Sequence, residues 1–339
     1  MAIRVSVDAM GGDHAPEMVV PGIIRALEKD KELEIHLFGP EDQLHSLLSG
    51  SSRPVERLNV IHAPEVVGMG ESPASALKNK PDSSIHRGLQ SCKRGETAAF
   101  VSAGNTGAVM AASLFILGRQ SFVKRPSLVG YFPTLKGHCI LLDAGANVDC
   151  KPEHLVQFAK MGSVYVQKTR HTENPSVGLM NIGEEPGKGN EQAKKAFELL
   201  DQDESLNFIG NIEGRDVLRH AADVVIADGY VGNIMLKFGE SVATVVPQMI
   251  AAEMNRIGMS PEDQQVVARA LKGVRDRFDF QEYGGAPLLG VNGTVIIGHG
   301  GSNELAFENM VTHAAEMVRE HVSESISEAL SLNSPQPAP

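Results

Sequence analysis

The chain has 339 residues, of which 42% are hydrophobic and 22% charged, as in a globular protein with a substantial core. Its 34 glycines and 18 prolines are an ordinary share for a globular protein, which excludes collagen-like and disordered chains. The 31 Lys and Arg residues against 42 Asp and Glu residues give a net charge of −11, so the surface as a whole repels nucleic acid and acidic membranes unless cations are concentrated locally.

The cysteines and the first residues of the chain indicate a cytoplasmic protein. Cys92, Cys139 and Cys150 are far apart and form no CxxC pair, which argues against a disulfide framework or a structural zinc site. The chain begins without a basic region and an apolar stretch of signal length, so we expect no export signal. Residues 97–118 are uncharged over a length that could span a bilayer, but a polar glycine turn at 102–107 favours strand, turn and buried helix.

Short apolar segments are each followed by a turn rich in Gly or Asn and then by a helical pattern. In chain order the strand-like segments are residues 3–8, 33–38, 139–143, 177–182, 223–227 and 294–297. The first three of the helices that follow them are predicted at 18–27, at 44–48 and from Pro152 onward. The fourth follows residues 183–190 and ends at Leu200, the fifth spans 234–246, and the sixth is a long C-terminal helix that ends near Leu330.

Strands that alternate with helices and lack a strict period of two indicate a largely parallel sheet covered on both faces. The sequence therefore predicts an α/β fold, a three-layer α/β/α sandwich, in which ligands bind beyond the carboxyl ends of the strands. We expect one catalytic domain over residues 1–330, or two subdomains within that span, and a disordered tail over residues 331–339.

Residues 240–283 depart from this alternation and predict a helical hairpin. Apolar residues from Val242 to Ile257 form one helical stripe, and a second helix follows the start signal at residues 260–263. The second helix has a cationic face made by Arg269, Lys272, Arg275 and Arg277. These cations form the clearest concentrated basic surface in the sequence, which suits an acidic protein partner or an anionic lipid surface.

The loop over residues 183–190 has two interpretations on sequence alone. Gly187, Lys188 and Gly189 resemble a phosphate-binding loop, but the first glycine stands too close to Gly187, and Gly189 replaces the Ser or Thr that would hold magnesium. A glycine loop with one lysine before a helix favours an anion, because free N–H groups and the helix dipole point at it. A solvated turn with a surface lysine fits equally well.

Other loops also admit a structural explanation beside a functional one. Residues 102–107 permit close backbone approach and supply neutral hydrogen bonds, yet a tight turn needs no ligand. The residues that could form a metal or acid/base site are Asp8, Asp13, His14, Asp143, Asn147, Asp228 and His299. Because no HExxH, metal-spaced triad or GxSxG motif supports such a site, we predict no metal.

Five of these motifs, taken together and in order, closely resemble the bacterial phosphate acyltransferase (PlsX) family of phospholipid synthesis, over about residues 1–325. The motifs are residues 8–16 (DAMGGDHAP), 102–108 (SAGNTGA), 183–190 (GEEPGKGN), 228–233 (DGYVGN) and 283–290 (YGGAPLLG).

The resemblance implies transfer of a fatty acyl group from acyl carrier protein to inorganic phosphate. The product is an acyl phosphate that a membrane glycerol-3-phosphate acyltransferase then uses. The resemblance also implies a fold like that of isocitrate and isopropylmalate dehydrogenases and of phosphotransacetylases, and a homodimer that needs no metal or cofactor. In such families the hairpin lies at the dimer interface and can touch the membrane, so peripheral membrane association is an expectation.

The resemblance also assigns roles to individual residues. Lys188 matches the proposed catalytic lysine, which binds phosphate, and Asn233 matches the proposed catalytic asparagine near the reacting carbonyl. The remaining phosphate- and substrate-binding positions are Gly11, Gly12, Asp13, His14, Gly104, Asn105, Thr106, Gly107, Gly187, Gly189, Asn190 and Gly232. The cations at 269, 272, 275 and 277 are expected to contact the carrier protein or the membrane.

Two other functions remain open on the sequence. A short-chain phosphotransacetylase that uses acyl-coenzyme A shares the fold and the reaction type. A membrane-surface scaffold would use the basic amphipathic helix, with the glycine loops as plain turns. A decarboxylating dehydrogenase fits less well, because the strand ends lack an arginine cluster and the carboxylates that would bind a divalent metal.

Overall fold

The computed structural model describes residues 2–49 and 56–331, in which strands and helices alternate along most of the chain. The strands are β1 (Ile3–Asp8), β2 (Leu33–Gly39), β3 (Leu58–His62), β4 (Ala99–Ser102), β5 (Ser127–Leu128), β6 (Gly130–Thr134), β7 (Gly137–Leu142), β8 (Ser176–Met180), β9 (Asn207–Ile212), β10 (Val224–Ile226), β11 (Ala286–Leu289) and β12 (Thr294–Ile297).

The helices are α1 (Val19–Lys29), α2 (Glu41–Ser49), α3 (Pro73–Asn79), α4 (Ser84–Lys93), α5 (Thr106–Ile116), α6 (Pro152–Arg170), α7 (Glu191–Asp201), α8 (Gly214–Val217), α9 (Gly229–Arg256), α10 (Pro261–Arg277), α11 (Phe280–Tyr283), α12 (Glu304–Arg319) and α13 (Val322–Ser331). The predicted α/β class is confirmed, and the strand pairing is mostly parallel.

The strands are divided between two sheets. The first has the order β3-β2-β1-β4-β12-β11-β5, in which β11 and β5 pair antiparallel, and the second has the order β6-β7-β10-β8-β9, in which β6 pairs antiparallel. The chain passes from one sheet to the other at Val129, the single residue between β5 and β6. The backbone N–H of Val129 donates to the carbonyl of Pro287, so this crossing point is itself paired.

Parallel pairing aligns the carboxyl ends of the strands within each sheet. In the first sheet Ile297 at the end of β12 lies opposite Ser102 at the end of β4. In the second sheet Ile226 at the end of β10 lies between Leu142 of β7 and Leu179 of β8. Each sheet thus brings several of the predicted glycine loops to one edge, as expected for ligand binding in α/β folds.

The core explains why the strand sequences are apolar without alternation. Both faces of strands β1 and β2 are covered, and on one of these faces α1 packs against α12. Gly22 permits this helix contact, because a Cβ there would lie 2.6 Å from the Cβ of Phe307. The uncharged segment 97–118 folds as β4, a turn and α5, and no described helix is both long and apolar enough to cross a membrane.

Several element boundaries differ from the sequence predictions. Helix α9 begins at Gly229, five residues before the predicted start, because the Asp228 carboxylate caps it by accepting from the N–H of Val231 at 2.8 Å. The single predicted C-terminal helix is two helices, separated where His321 adopts a φ of +52°. Residues 332–339 of the predicted disordered tail lie outside the described residues, and Ser331 ends α13.

Helices α9 and α10 form the hairpin that the sequence predicts within residues 240–283. The Ser260 hydroxyl caps α10 by accepting from the N–H of Asp263 at 3.2 Å. No residue of α10 is buried, and apolar side chains of α9, including Phe238 and Met249, are exposed. The hairpin therefore presents an apolar surface beside the cations of α10 in this chain.

Candidate active site

The loops that follow β1, β4 and β12 meet at the carboxyl edge of the first sheet. The N–H of Asp13 donates to the carbonyl of Gly300 at 2.7 Å, which joins the first loop to the third. A Cβ at Gly11 would lie 2.6 Å from Asp8 Oδ2 and 2.7 Å from the N atom of Gly104, so glycine is required at this contact. These contacts place the predicted residues of the first two loops side by side.

Asp8 lies beneath these loops and holds them in place. Its Oδ2 accepts from the Ser102 hydroxyl at 2.6 Å, and its Oδ1 accepts from the N–H of Met10 at 3.0 Å. Burial raises the pKa of this carboxyl above its ordinary value, although the hydrogen bond from Ser102 works in the opposite direction. Asp8 therefore serves as the buried support of the loops.

Asn105 and Thr106 begin α5 at the same edge. The Asn105 Oδ1 caps the helix by accepting from the N–H of Ala108 at 3.0 Å. Its Nδ2 donates to the carbonyls of Met69 and Glu71, each at 2.9 Å, so this side-chain amide ties α5 to the segment before α3. Thr106, the next residue, lines a cavity between the two sheets.

The loops that follow β7 and β10 form the facing part of the site. The Asp143 carboxylate accepts from the N–H groups of Leu128 at 3.0 Å, Ala146 at 3.1 Å and Asn147 at 2.6 Å, and burial raises its pKa. A Cβ at Gly232 would lie 1.9 Å from the Asp143 carbonyl oxygen, so only glycine lets α9 approach this loop.

That approach fixes Asn233 in the first turns of α9. Its Nδ2 donates to the carbonyl of Ala144 at 3.4 Å, and the same nitrogen would lie 2.5 Å from a Cβ on Gly145. Both Asn233 and Ala144 line the cavity. Lys237 lines it as well, one turn further along α9, and no motif in the sequence marks this cation as a site residue.

Lys188 lies in the loop that follows β8, on the same sheet edge. Its carbonyl accepts from Asn181 Nδ2 at 3.1 Å, and its Nζ lies 3.9 Å from Glu185 Oε1, with 51% of the side chain exposed. Gly189 has a φ of +89°, and Asn190 caps α7 by accepting from the N–H of Ala193 at 2.8 Å. Lys188 thus precedes a helix N-terminus, but it does not line the cavity.

The cavity has a volume of about 420 Å³ and joins the edges of the two sheets. Thr106, His299, Gly300, Asn233 and Ala144 line its polar end. Most of the remainder is bounded by apolar and aromatic side chains, which are Leu128, Val129, Tyr131, Phe132, Pro133, Leu236, Phe278, Tyr283 and Ile297, and the charged side chains Lys237 and Glu240 line it as well. A cavity with one polar end and an apolar remainder suits an extended apolar ligand with a polar head.

Four aromatic residues line the cavity and are called the aromatic wall, namely Tyr131, Phe132, Phe278 and Tyr283. A buried hydrogen-bond chain supports this wall. The Tyr131 ring stacks on Tyr283 with 5.1 Å between ring centroids, and its hydroxyl lies 2.6 Å from that of Tyr165. The Tyr165 hydroxyl in turn lies 2.7 Å from His313 Nε2, and burial lowers the pKa of His313 to about 4. These groups are therefore neutral at pH 7 and stabilise the position of the wall.

The structure brings together some of the predicted residues and leaves others apart. Asp13, Gly104, Thr106 and Asn233 lie on or beside the cavity, whereas Lys188 lies on the adjacent loop. Among the described residues, no three His, Cys, Asp or Glu side chains are placed to hold a metal ion. The aromatic residues of the cavity wall were not predicted as site residues, and the motif that starts at Tyr283 is the one signal for them in the sequence.

Comparisons with known proteins agree with this geometry. Residues 3–325 match the profile of a family described as "Fatty acid synthesis protein". A protein named phosphate acyltransferase from Salinibacter ruber is 54% identical over 335 residues, which cover 98% of this chain and 99% of the relative. Another of that name from Halothermothrix orenii is 44% identical over 321 residues, covering 94% of this chain and 96% of the relative.

Solved structures with a similar fold include two phosphotransacetylases. The protein from Streptococcus pyogenes superposes with a TM-score of 0.64 at 16% identity, and EutD from Staphylococcus aureus with 0.60 at 13%. In both comparisons the match covers 94% of each chain. At these identities the likeness shows the fold alone.

Proposed function

The chain belongs to the fatty acid synthesis protein family, whose relatives are named phosphate acyltransferase, and from that premise we propose that it transfers a fatty acyl group from acyl carrier protein to inorganic phosphate. The product is an acyl phosphate for phospholipid synthesis, used in turn by a membrane glycerol-3-phosphate acyltransferase. Membership of this family shows that the chain is an acyltransferase. The identity of the acyl donor and the roles of the site residues are what we propose.

The observation that carries the proposal is the cavity between the two sheets. Its apolar wall of Phe132, Leu236 and Phe278 suits a fatty acyl chain, and its polar end at Thr106 and Asn233 suits a thioester carbonyl. The loops of both sheets converge at that polar end, so a phosphate held there can reach the carbonyl carbon.

The reaction needs no covalent nucleophile from the protein. A thioester is already activated, and phosphate near pH 7 is largely a dianion, so an oxygen of HPO₄²⁻ attacks the carbonyl carbon directly. The carbon–sulfur bond breaks, and the sulfur leaves as a thiolate that takes up the proton of the phosphate. The protein must hold the two reactants in line and stabilise the oxyanion that forms between them.

Lys188 and Asn233 are the side chains to which we assign these tasks. Asn233 Nδ2 lies at the polar end of the cavity, where it can donate to the developing oxyanion. Lys188 precedes the N-terminus of α7, so its ammonium and the helix dipole favour the same anion, although Glu185 opposes them. The backbone of Gly11, Gly12 and Gly104 completes the phosphate site from the first sheet.

We assign the other residues predicted from the sequence to the same site. Asn105 and Asn190 hold the starts of α5 and α7, and Thr106 lines the cavity itself. The rest of the assigned phosphate and substrate site is Asp13, His14, Gly107, Gly187, Gly189 and Gly232.

The hairpin of α9 and α10 supports a homodimer and peripheral contact with a membrane from the cytoplasmic side. Phe238 and Met249 expose 69% and 65% of their surface, which is unusual for large apolar side chains of a protein that acts alone in water. Arg269, Lys272, Arg275 and Arg277 are exposed on the neighbouring helix and suit an anionic lipid surface. An apolar face beside cations favours the lipid contact over the carrier protein for this surface.

A panel of acyl donors tests the proposed function. Purified protein without lipid is incubated with phosphate and with long-chain acyl carrier protein or short-chain acyl-coenzyme A, and acyl phosphate is measured by mass spectrometry. We expect kcat/KM to be highest for the long-chain carrier donor. A preference for the short coenzyme A donor would identify a phosphotransacetylase, and no acyl phosphate from any donor would favour a membrane-surface scaffold.

A further inference from the structure

A second cleft, of about 600 Å³, adjoins the cavity along α5. Thr106 lines the cavity, whereas Met110 and Leu114 line the cleft. These positions are spaced by four residues and lie on one face of the helix, over a rise of about 12 Å. Strand β11 runs the same way, since Ala286 lines the cavity and Leu288 lines the cleft.

Two more elements continue from one space into the other. Leu128 and Ala144 line the cavity, whereas Pro126 and Asn147 line the cleft. The N–H of Ala144 donates to the Leu128 carbonyl at 2.9 Å, and Asn147 Nδ2 donates to the Pro126 carbonyl at 2.7 Å. Because four elements contribute neighbouring residues to both spaces in the same order, the cleft lies next to the cavity, in the direction from which an extended ligand could enter it.

Cations border the cleft. Arg119, Lys124 and Arg125 line it, and all three are exposed. The Arg119 guanidinium donates to the carbonyls of Val123 at 3.2 Å and Lys124 at 2.5 Å, so it stabilises the loop that carries the other two. Within residues 2–49 and 56–331, no carboxylate lies within ion-pair distance of Lys124 or Arg125.

The electrostatic environment of His154 shows that these cations dominate locally. Burial lowers the pKa of its imidazole below the ordinary value, and Arg125, Lys124 and Lys151 lower it further, whereas the single carboxylate of Glu153 opposes them. The chain has a net charge of −11, yet it carries a second concentrated basic surface here. This surface is made by Arg119, Lys124, Arg125 and Lys151, which come from three separate stretches of sequence.

We propose that this cleft, named here the carrier cleft and lined by Met110, Leu114, Pro126, Asn147 and Leu288, receives the phosphopantetheine arm of acyl carrier protein. Lys124 and Arg125 would then contact the arm's phosphodiester and the acidic surface of the carrier. The proposal rests on the proposed function, because it concerns the donor of that same reaction.

The chemistry of the arm matches the cleft and the cavity from end to end. The arm carries a phosphodiester anion at one end, amide and methylene groups in its middle and the acyl thioester at the other end. The carrier cleft has cations at its border and apolar side chains and one amide along its wall, and α5 leads from Met110 in the cleft to Thr106 in the cavity. Complementary charge would also speed the encounter of two proteins that are both acidic overall.

Charge reversal tests the assignment against a matched control. The test variant is Lys124→Glu with Arg125→Glu, and the control is Lys93→Glu with Arg94→Glu, an exposed Lys-Arg pair at the end of α4. Steady-state kinetics is measured with acyl carrier protein and with acyl-pantetheine, which is uncharged, and binding of the holo-carrier protein is measured by calorimetry. Circular dichroism establishes that each variant is folded.

The test variant should raise KM and Kd for the carrier protein by about tenfold or more, with kcat within about twofold of wild type and the acyl-pantetheine reaction unchanged. The control should match wild type. An unchanged Kd in the test variant would overturn the proposal, and so would a larger effect from Lys272→Glu with Arg275→Glu on α10. A wild-type protein that binds the carrier through this surface but makes no acyl phosphate would refute the proposed function and leave the docking site standing.

Discussion

Replacing Gly239 by leucine should shorten the acyl chain that the protein accepts. Gly239 lies on α9 in the cavity wall, and a Cβ there would stand 2.7 Å from Phe132 Cζ. Phe132 packs edge-on against Phe278 with 6.4 Å between centroids, so its ring has little room to retreat. A leucine side chain at this position would therefore displace the Phe132 ring into the cavity and reduce the space that is now open to a ligand.

The expected size of the effect follows from the hydrophobic surface that the ligand loses. A leucine side chain takes up the space of about four acyl methylenes, each of which contributes about 0.8 kcal/mol when buried. The loss for a long-chain donor is thus about 3 kcal/mol, which corresponds to roughly a hundredfold decrease in kcat/KM. Donors too short to reach Gly239 should keep the kcat/KM of the wild-type protein.

The assay is kcat/KM for a series of acyl chain lengths on one carrier. Gly273→Leu on α10 is the matched control, because nothing lies within 4 Å of a Cβ at that position, and its profile should equal that of wild type. Gly239→Ala should give a smaller shift in the same direction if the leucine variant is unstable. A Gly239→Leu protein that is folded and has the wild-type chain-length profile would refute the assignment of the cavity to the acyl chain.

Three further predictions test other parts of the site. Lys188→Ala should lower kcat roughly a hundredfold in steady-state assays, because a charged group that stabilises the oxyanion is lost. Lys195→Ala should leave kcat unchanged. If both variants have the same kcat, Lys188 has no part in the mechanism. Gly232→Ala should lower the free energy of unfolding by about 3 kcal/mol in urea titrations, because its Cβ would lie 1.9 Å from the Asp143 carbonyl oxygen, and an unchanged midpoint would contradict this packing. Burial lowers the pKa of His313 from 6.5 to about 4, so the unfolded chain binds a proton in this window that the folded chain does not, and stability falls as pH falls. Between pH 7 and pH 5, the free energy of unfolding of the wild-type protein should decrease by about 1–2 kcal/mol more than that of His313→Gln. Equal decreases in the two proteins would contradict this.

The sequence predicted the parts of the site that depend on local signals. Asp228 and Asn105 cap helices directly after buried strands, and parallel strands bring such turns to one edge. The residues around Asp8 and Asp228 could thus be assigned to the ends of strands from the chain alone. The order of the motifs then added the family, which the profile over residues 3–325 confirms.

The sequence could not predict the features that depend on contacts between distant segments. The aromatic wall joins Tyr131 to Tyr283, which are separated by about half the chain, and neither residue has a periodic pattern that indicates the other. The division into two sheets depends on Val129, which has no turn signal of its own. The basic surface of the carrier cleft is assembled from loops around Arg119 and Lys151, so no run of charge marks it in the sequence.

If phosphate itself attacks the acyl thioester, phosphate labelled with heavy oxygen will leave its label in the acyl product. Purified protein is given long-chain acyl carrier protein and the labelled phosphate, and the acyl product is analysed by mass spectrometry. We predict an acyl phosphate in which all the phosphate oxygens, including the one bonded to the acyl carbon, carry the label. Release of free fatty acid at a rate independent of phosphate would show that phosphate is not the nucleophile.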